Sequence, residues 1–79
     1  MLPNELLKRI TVNQEIQHGE PCVEGTRTPV YVVLEALSSG LTSEEIKAEY
    51  PPIDDNDVKA CLVFAALLAK EEEVPLSIS

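Results

Sequence analysis

Asp54-Asp55-Asn56-Asp57-Val58-Lys59-Ala60-Cys61-Leu62-Val63-Phe64-Ala65-Ala66-Leu67-Leu68-Ala69-Lys70 is the stretch whose reading decides the fold. Asp54 suits an N-cap, Asp57 occupies the position that answers it in a capping box, and Ile53 with Val58 is spaced for a hydrophobic staple. No glycine or proline interrupts the run, so the pattern predicts a long helix reaching about Glu73 and stopping before Pro75. Val58, Cys61, Leu62, Ala65, Leu68 and Ala69 form one core-facing stripe at helical spacing. Ala60, Val63, Phe64 and Leu67 cover much of the remaining circumference. A helix apolar on two sides is buried on two sides, which makes this second set a candidate homodimer interface.

Working back toward the N-terminus, Thr42-Ser43-Glu44-Glu45 is a second capping box, with Leu41 and Ile46 placed as its staple. That helix ends at Tyr50, before Pro51 and Pro52. A further helix is predicted from Thr28 as N-cap and Pro29 at its first position, with Val30, Val33, Leu34 and Leu37 inward and Gly40 as the stop. Upstream, Arg9 to Val12 and Pro21 to Glu24 read as short strands pairing across Asn13 to Gly19, and Glu5 to Lys8 as a helical turn. The expected organisation is one domain over residues 1–79, mostly α. A β-hairpin spans 9–25, a three-helix core 28–73 and an extended tail 74–79.

Composition agrees. The chain has 79 residues, 44% hydrophobic but only 4% aromatic, so its core is aliphatic and suited to helix packing. A domain of this length buries only roughly 60% of its unfolded surface, which favours association. The net charge of −8 opposes free nucleic-acid binding, which depends on neutralising phosphates, and suits a basic partner. The longest apolar run, Ala60 to Ala69, is too short for a bilayer, and residues 1–8 lack the apolar core of a signal peptide. Cys22 and Cys61 then read as reduced thiols in a cytoplasmic protein.

Gly19-Glu20-Pro21-Cys22-Val23-Glu24-Gly25-Thr26-Arg27-Thr28-Pro29-Val30 resembles the signature of the Domain of Unknown Function 433 family. The resemblance continues through Leu34-Glu35-Ala36-Leu37, Gly40-Leu41-Thr42, Glu44-Glu45-Ile46, Tyr50-Pro51, Asp57 to Leu62 and Ala65-Ala66, roughly residues 9 to 68. It implies a homeodomain-like helix-turn-helix core behind the hairpin. It further implies an antitoxin-like protein of prokaryotes, similar to VapB-type partners of PIN-like ribonuclease toxins. Glu20 stands where the family commonly has Lys or Arg, and Thr28 where Ile or Val is usual. Both changes make the segment less basic or less apolar, against a nucleic-acid contact at the hairpin.

Neither a nucleophile context nor a phosphate-cradling loop accompanies the single His18, so no enzymatic activity, metal or other cofactor is expected. Candidate partner-binding residues are Glu71, Glu72 and Glu73, which sit unfavourably at a helix C-terminus unless a basic surface meets them, and the alternating Val74, Leu76 and Ile78. That tail is either an edge strand for a partner or a frayed end. Lys8, Arg9 and Arg27 are the candidate nucleic-acid contacts. Arg27 suits a carboxylate, a carbonyl cluster or a phosphate, and equally a clamp within its own fold. Three functions stay open: an antitoxin-like protein covering a ribonuclease, a dimeric helix-turn-helix regulator, or a structural homodimer. The acidic turn Asp54 to Asp57 would repel phosphates if its helix entered the major groove, which favours protein contact.

Overall fold

A computed structural model describes residues 2–15 and 19–71 of the chain. The element order is α1 (Pro3–Leu6), a 3-10 turn (Leu7–Arg9), β1 (Ile10–Val12), β2 (Pro21–Val23), α2 (Val30–Ser38), α3 (Ser43–Glu49) and α4 (Asp55–Glu71). The protein is mostly helical, with a two-stranded antiparallel hairpin near its N-terminus.

The hairpin pairs Ile10 with Val23, Thr11 with Cys22 and Val12 with Pro21. Arg9 belongs to the 3-10 turn rather than to β1, yet its carbonyl still accepts from the Glu24 N–H at 2.7 Å. The ladder thus reaches one hydrogen bond beyond each strand. Gly25 then reverses the chain at φ 81°. Thr26 Oγ1 donates to the Val23 carbonyl and accepts from the Thr28 N–H.

That reversal moves the start of α2. The Val23 N–H takes the Thr28 carbonyl, and Cys22 bridges to Pro29, so residues 28–29 are held extended beside β2. Pro29 is therefore the N-cap, at φ −65° and ψ 148°, and Thr28 does not cap the helix. The C-terminal stop is as the glycine predicts. Gly40, at φ 101°, donates to the Leu37 carbonyl while Leu41 donates to that of Ala36, the paired bonds of a Schellman motif.

Both capping boxes form. Thr42 Oγ1 accepts from the Glu45 N–H at 3.2 Å and Glu45 Oε1 accepts from the Thr42 N–H at 2.9 Å. At α4, Asp54 Oδ1 accepts from the Asp57 N–H at 2.8 Å and Asp57 Oδ2 from the Asp54 N–H at 3.0 Å. Such a cap contributes about 1 kcal/mol to its helix.

The core gathers Val23, Val30, Val33, Ile46, Ile53, Val58 and Cys61, so that β2, α2, α3 and α4 all contribute. Burying one such aliphatic side chain contributes about 1.5–3 kcal/mol. The two-stripe reading of α4 needs correcting. Ala60, expected on the association face, is 0% exposed, whereas Leu62 and Leu68, expected in the core, are 49% and 44% exposed. Two causes account for this. α1 and the 3-10 turn pack on α4 and add a cover that the sequence reading left out, with Leu6 buried among them. Leu68 shares the side of Cys61 and Phe64, but α4 runs past the elements that bury its first half. Leu62 lies on a side that none of these elements covers.

Candidate protein-binding surface

The two ends of α4 have opposite chemistry. At its start, Arg9 reaches across from the 3-10 turn and donates from Nη1 to Asp57 at 3.0 Å and to both Asp54 oxygens at 3.3 Å. Asp57 is buried and answers both the Asp54 N–H and Arg9. Hydrogen bonding to Asp57 raises the Arg9 pKa further, and the Asp57 N–H, aided by the charge of Arg9, holds the Asp54 carboxyl below its usual range. Lys47 adds a second link, 2.7 Å from Glu44 and 3.1 Å from Asp55.

This arrangement corrects the reading of Arg9 as a nucleic-acid contact. Its guanidinium closes an ion cluster of the fold, and a phosphate approaching it would meet Asp54 and Asp57. Lys8 and Arg27 are exposed. The structure describes only the backbone of Glu71. The side chain of Glu71, and all of Glu72, Glu73, Val74, Leu76 and Ile78, lie outside the described residues, as does His18.

Beyond Phe64 the helix turns apolar and open. Leu67 is 39% exposed beside Leu68, and Ala66 and Ala69 are exposed as well. Of the expected dimer residues, Val63 and Phe64 are half-buried and Leu67 is open, while Ala60 is inside the protein. Phe64 packs against the core and also forms one wall of an open groove of about 500 Å³. Pro21, Val30, Tyr31, Leu34 and Leu68 complete most of its lining, with Glu20 at one edge. Tyr31, 52% exposed, is the aromatic that the sequence reading passed over. The available signal was its position on α2, outside the stripe Val30, Val33, Leu34 and Leu37. Both thiols are buried, and burial pushes the Cys61 thiol up to about 11, where it is a poor nucleophile.

A family model described as "Protein of unknown function (DUF433)" matches residues 10–65. The chain belongs to the DUF433 family. The match contains β1 through the first half of α4; α1, which covers that half of the helix, precedes it. An "Uncharacterized protein y4eO" of Sinorhizobium fredii (strain NBRC 101917 / NGR234) is 30% identical over 56 residues. Those residues are 71% of this chain and 25% of that protein, so the chain spans about a quarter of the relative's length. The fold is similar to the crystal structure of a DUF433 member protein from Anabaena variabilis ATCC 29413. Their TM-score is 0.74 at 20% identity, over 86% of this chain and 67% of that one. No helix among the described residues of this DUF433 chain is long and apolar enough to cross a membrane.

Proposed function

We propose that this DUF433 protein is a non-catalytic, antitoxin-like binding domain that covers a PIN-like ribonuclease by surface contact. The observation that carries this reading is the open apolar end of α4, with Leu67 and Leu68 each more than a third exposed between the exposed Ala66 and Ala69. Contiguous exposed apolar surface of this kind is characteristic of protein association. The described acidic groups at the helix starts support binding rather than catalysis, since they serve as caps and ion-pair partners. Homodimerisation through Val63, Phe64 and Leu67 together with Leu68 would use the same apolar end and so compete with the partner. We place the protein in the cytoplasm, where its thiols stay reduced.

A homeodomain-like helix-turn-helix remains the second reading, favoured by the short connection, residues 50–54, between α3 and α4. In that geometry the start of α4 would approach DNA, and there it presents the exposed carboxylates of Asp54 and Asp55. Protein contact is therefore the better use of the fold.

The test is purification of the tagged chain from its native host at high salt, followed by a ribonuclease assay on what remains bound. The expected result is a retained nuclease whose activity rises when the DUF433 chain is stripped away. Retention of DNA alone, lost steeply as salt increases, would replace this reading with the regulator.

A further inference from the structure

Tyr31 separates two concavities of different character. On one side lies the apolar groove with Phe64 and Leu68. On the other is an open cup of about 450 Å³ whose lining includes Tyr31, Glu35, Ser39, Glu49 and Tyr50. The cup forms where the last turn of α2 meets the end of α3. Ser39, the C-cap of α2, and Tyr50, the C-cap of α3, both line it. Glu35 and Glu49 add full charges, and no described cation meets either one. Lys47 could have neutralised its neighbour Glu49, but it is drawn toward Glu44 and Asp55 instead. Two aromatic rings and two carboxylates suit a planar cation, which an aromatic face and carboxylates both attract.

We propose that this cup receives an arginine side chain of a protein partner whose neighbouring apolar side chain occupies the groove across Tyr31. The proposal rests on the protein-binding reading and specifies its chemistry. A segment carrying a leucine-like residue and an arginine close together would straddle Tyr31. The net charge of −8 draws such a segment in, and the two concavities fix its register.

The test uses the full chain and two probes, N-acetyl-leucyl-arginine amide and its neutral isostere N-acetyl-leucyl-citrulline amide. Tyr31 and Tyr50 are the only tyrosines, so their ring NMR signals report the cup directly. At low salt the arginine probe should shift both rings saturably, at millimolar concentration, and bind at least tenfold more tightly than the citrulline probe. The E35Q/E49Q variant, altered at two exposed positions, should lose that preference while its unfolding midpoint is unchanged. Leu68→Ser should weaken both probes and keep the preference. Equal binding of the two probes, or no saturable shift at either ring, overturns the proposal. So does a shift of both rings on concentrating the protein without probe, which would make a second copy the occupant. If the probes fail but a co-purified ribonuclease is still inhibited, only the cup assignment falls. If they succeed but no ribonuclease is found, only the antitoxin reading falls.

Discussion

The first and second halves of α4 share one backbone conformation and differ in almost everything else. In the first half, the carboxylates have partners: Asp54 with the Asp57 N–H and Arg9, Asp57 with the Asp54 N–H and Arg9, Asp55 with Lys47. Val58, Ala60 and Cys61 are fully enclosed between α1 on one side and the β2, α2 and α3 core on the other. In the second half, Ala66 to Ala69 stand open to water. The helix is thus divided both by its sequence and by what packs on it. The first half holds the fold together, and the second carries the surface available for partners.

The largest expected contrast is in stability. Ile53 is buried against Val58 at the entry to α4, and Ile53→Ala should cost about 2–4 kcal/mol through lost burial and the cavity left behind. That is a large share of the roughly 5–15 kcal/mol that holds a domain together. Leu67→Ala, fourteen residues further along, should change stability by no more than about 0.5 kcal/mol. Urea denaturation at low protein concentration measures both. Equal losses would mean that the second half of α4 is as enclosed as the first.

Next comes association. Leu67→Ser combined with Leu68→Ser should weaken the proposed homodimer at least tenfold. In the parent chain the unfolding midpoint should rise with protein concentration, and in the double variant that dependence should vanish. Light scattering across a dilution series gives the direct comparison. A parent chain that is monomeric at the highest concentration would assign the apolar end to a foreign partner alone.

How much of this contrast can be read from the residues depends on the range of the interactions involved. The capping boxes Thr42 with Glu45 and Asp54 with Asp57 are local, and so are the Schellman stop at Gly40 and the two staples. Each is legible because its partners lie within a few residues. The family resemblance was legible for the same reason, in the compact run Gly19 to Val30. The pairing of Arg9 with Asp54 and Asp57 spans more than forty residues, and nothing nearby distinguishes Arg9 from a surface cation. Periodicity assigns Ala60 and Leu68 to faces but is silent on which stretch of each face has a neighbour. Ala60 is enclosed in the half of α4 on which other elements pack, and Leu68 stands open beyond it. Tyr31 carries no local signal, because it lies between two concavities that only the packed helices create.

A smaller effect isolates the cap itself. Asp54→Ala should destabilise the protein by about 1 kcal/mol, and Asp54→Asn by a few tenths, because asparagine still accepts the Asp57 N–H. If both variants cost the same, the ion pair with Arg9 rather than the cap is what stabilises the start of α4. If neither costs anything, the polar matching that distinguishes the first half of the helix has no energetic weight.

The smallest expected effect is a pH dependence carried by the capping carboxylates of α3 and of the polar half of α4. The Asp54 and Glu45 carboxyls are both held below their ordinary values of 3.8 and 4.5, chiefly by the backbone N–H groups they cap. The folded state therefore releases these protons more readily than the unfolded chain. Their contribution to stability is complete above the ordinary values and is lost as the pH falls through the lowered ones. Denaturation midpoints measured from pH 7 down to pH 3 should be flat at first and then fall below about pH 4.5. Asp54→Asn should make that fall shallower, because its cap cannot titrate, while Leu67→Ser should leave the slope as it is. A slope that responds to Leu67→Ser and ignores Asp54→Asn would reverse the assignment of the two halves.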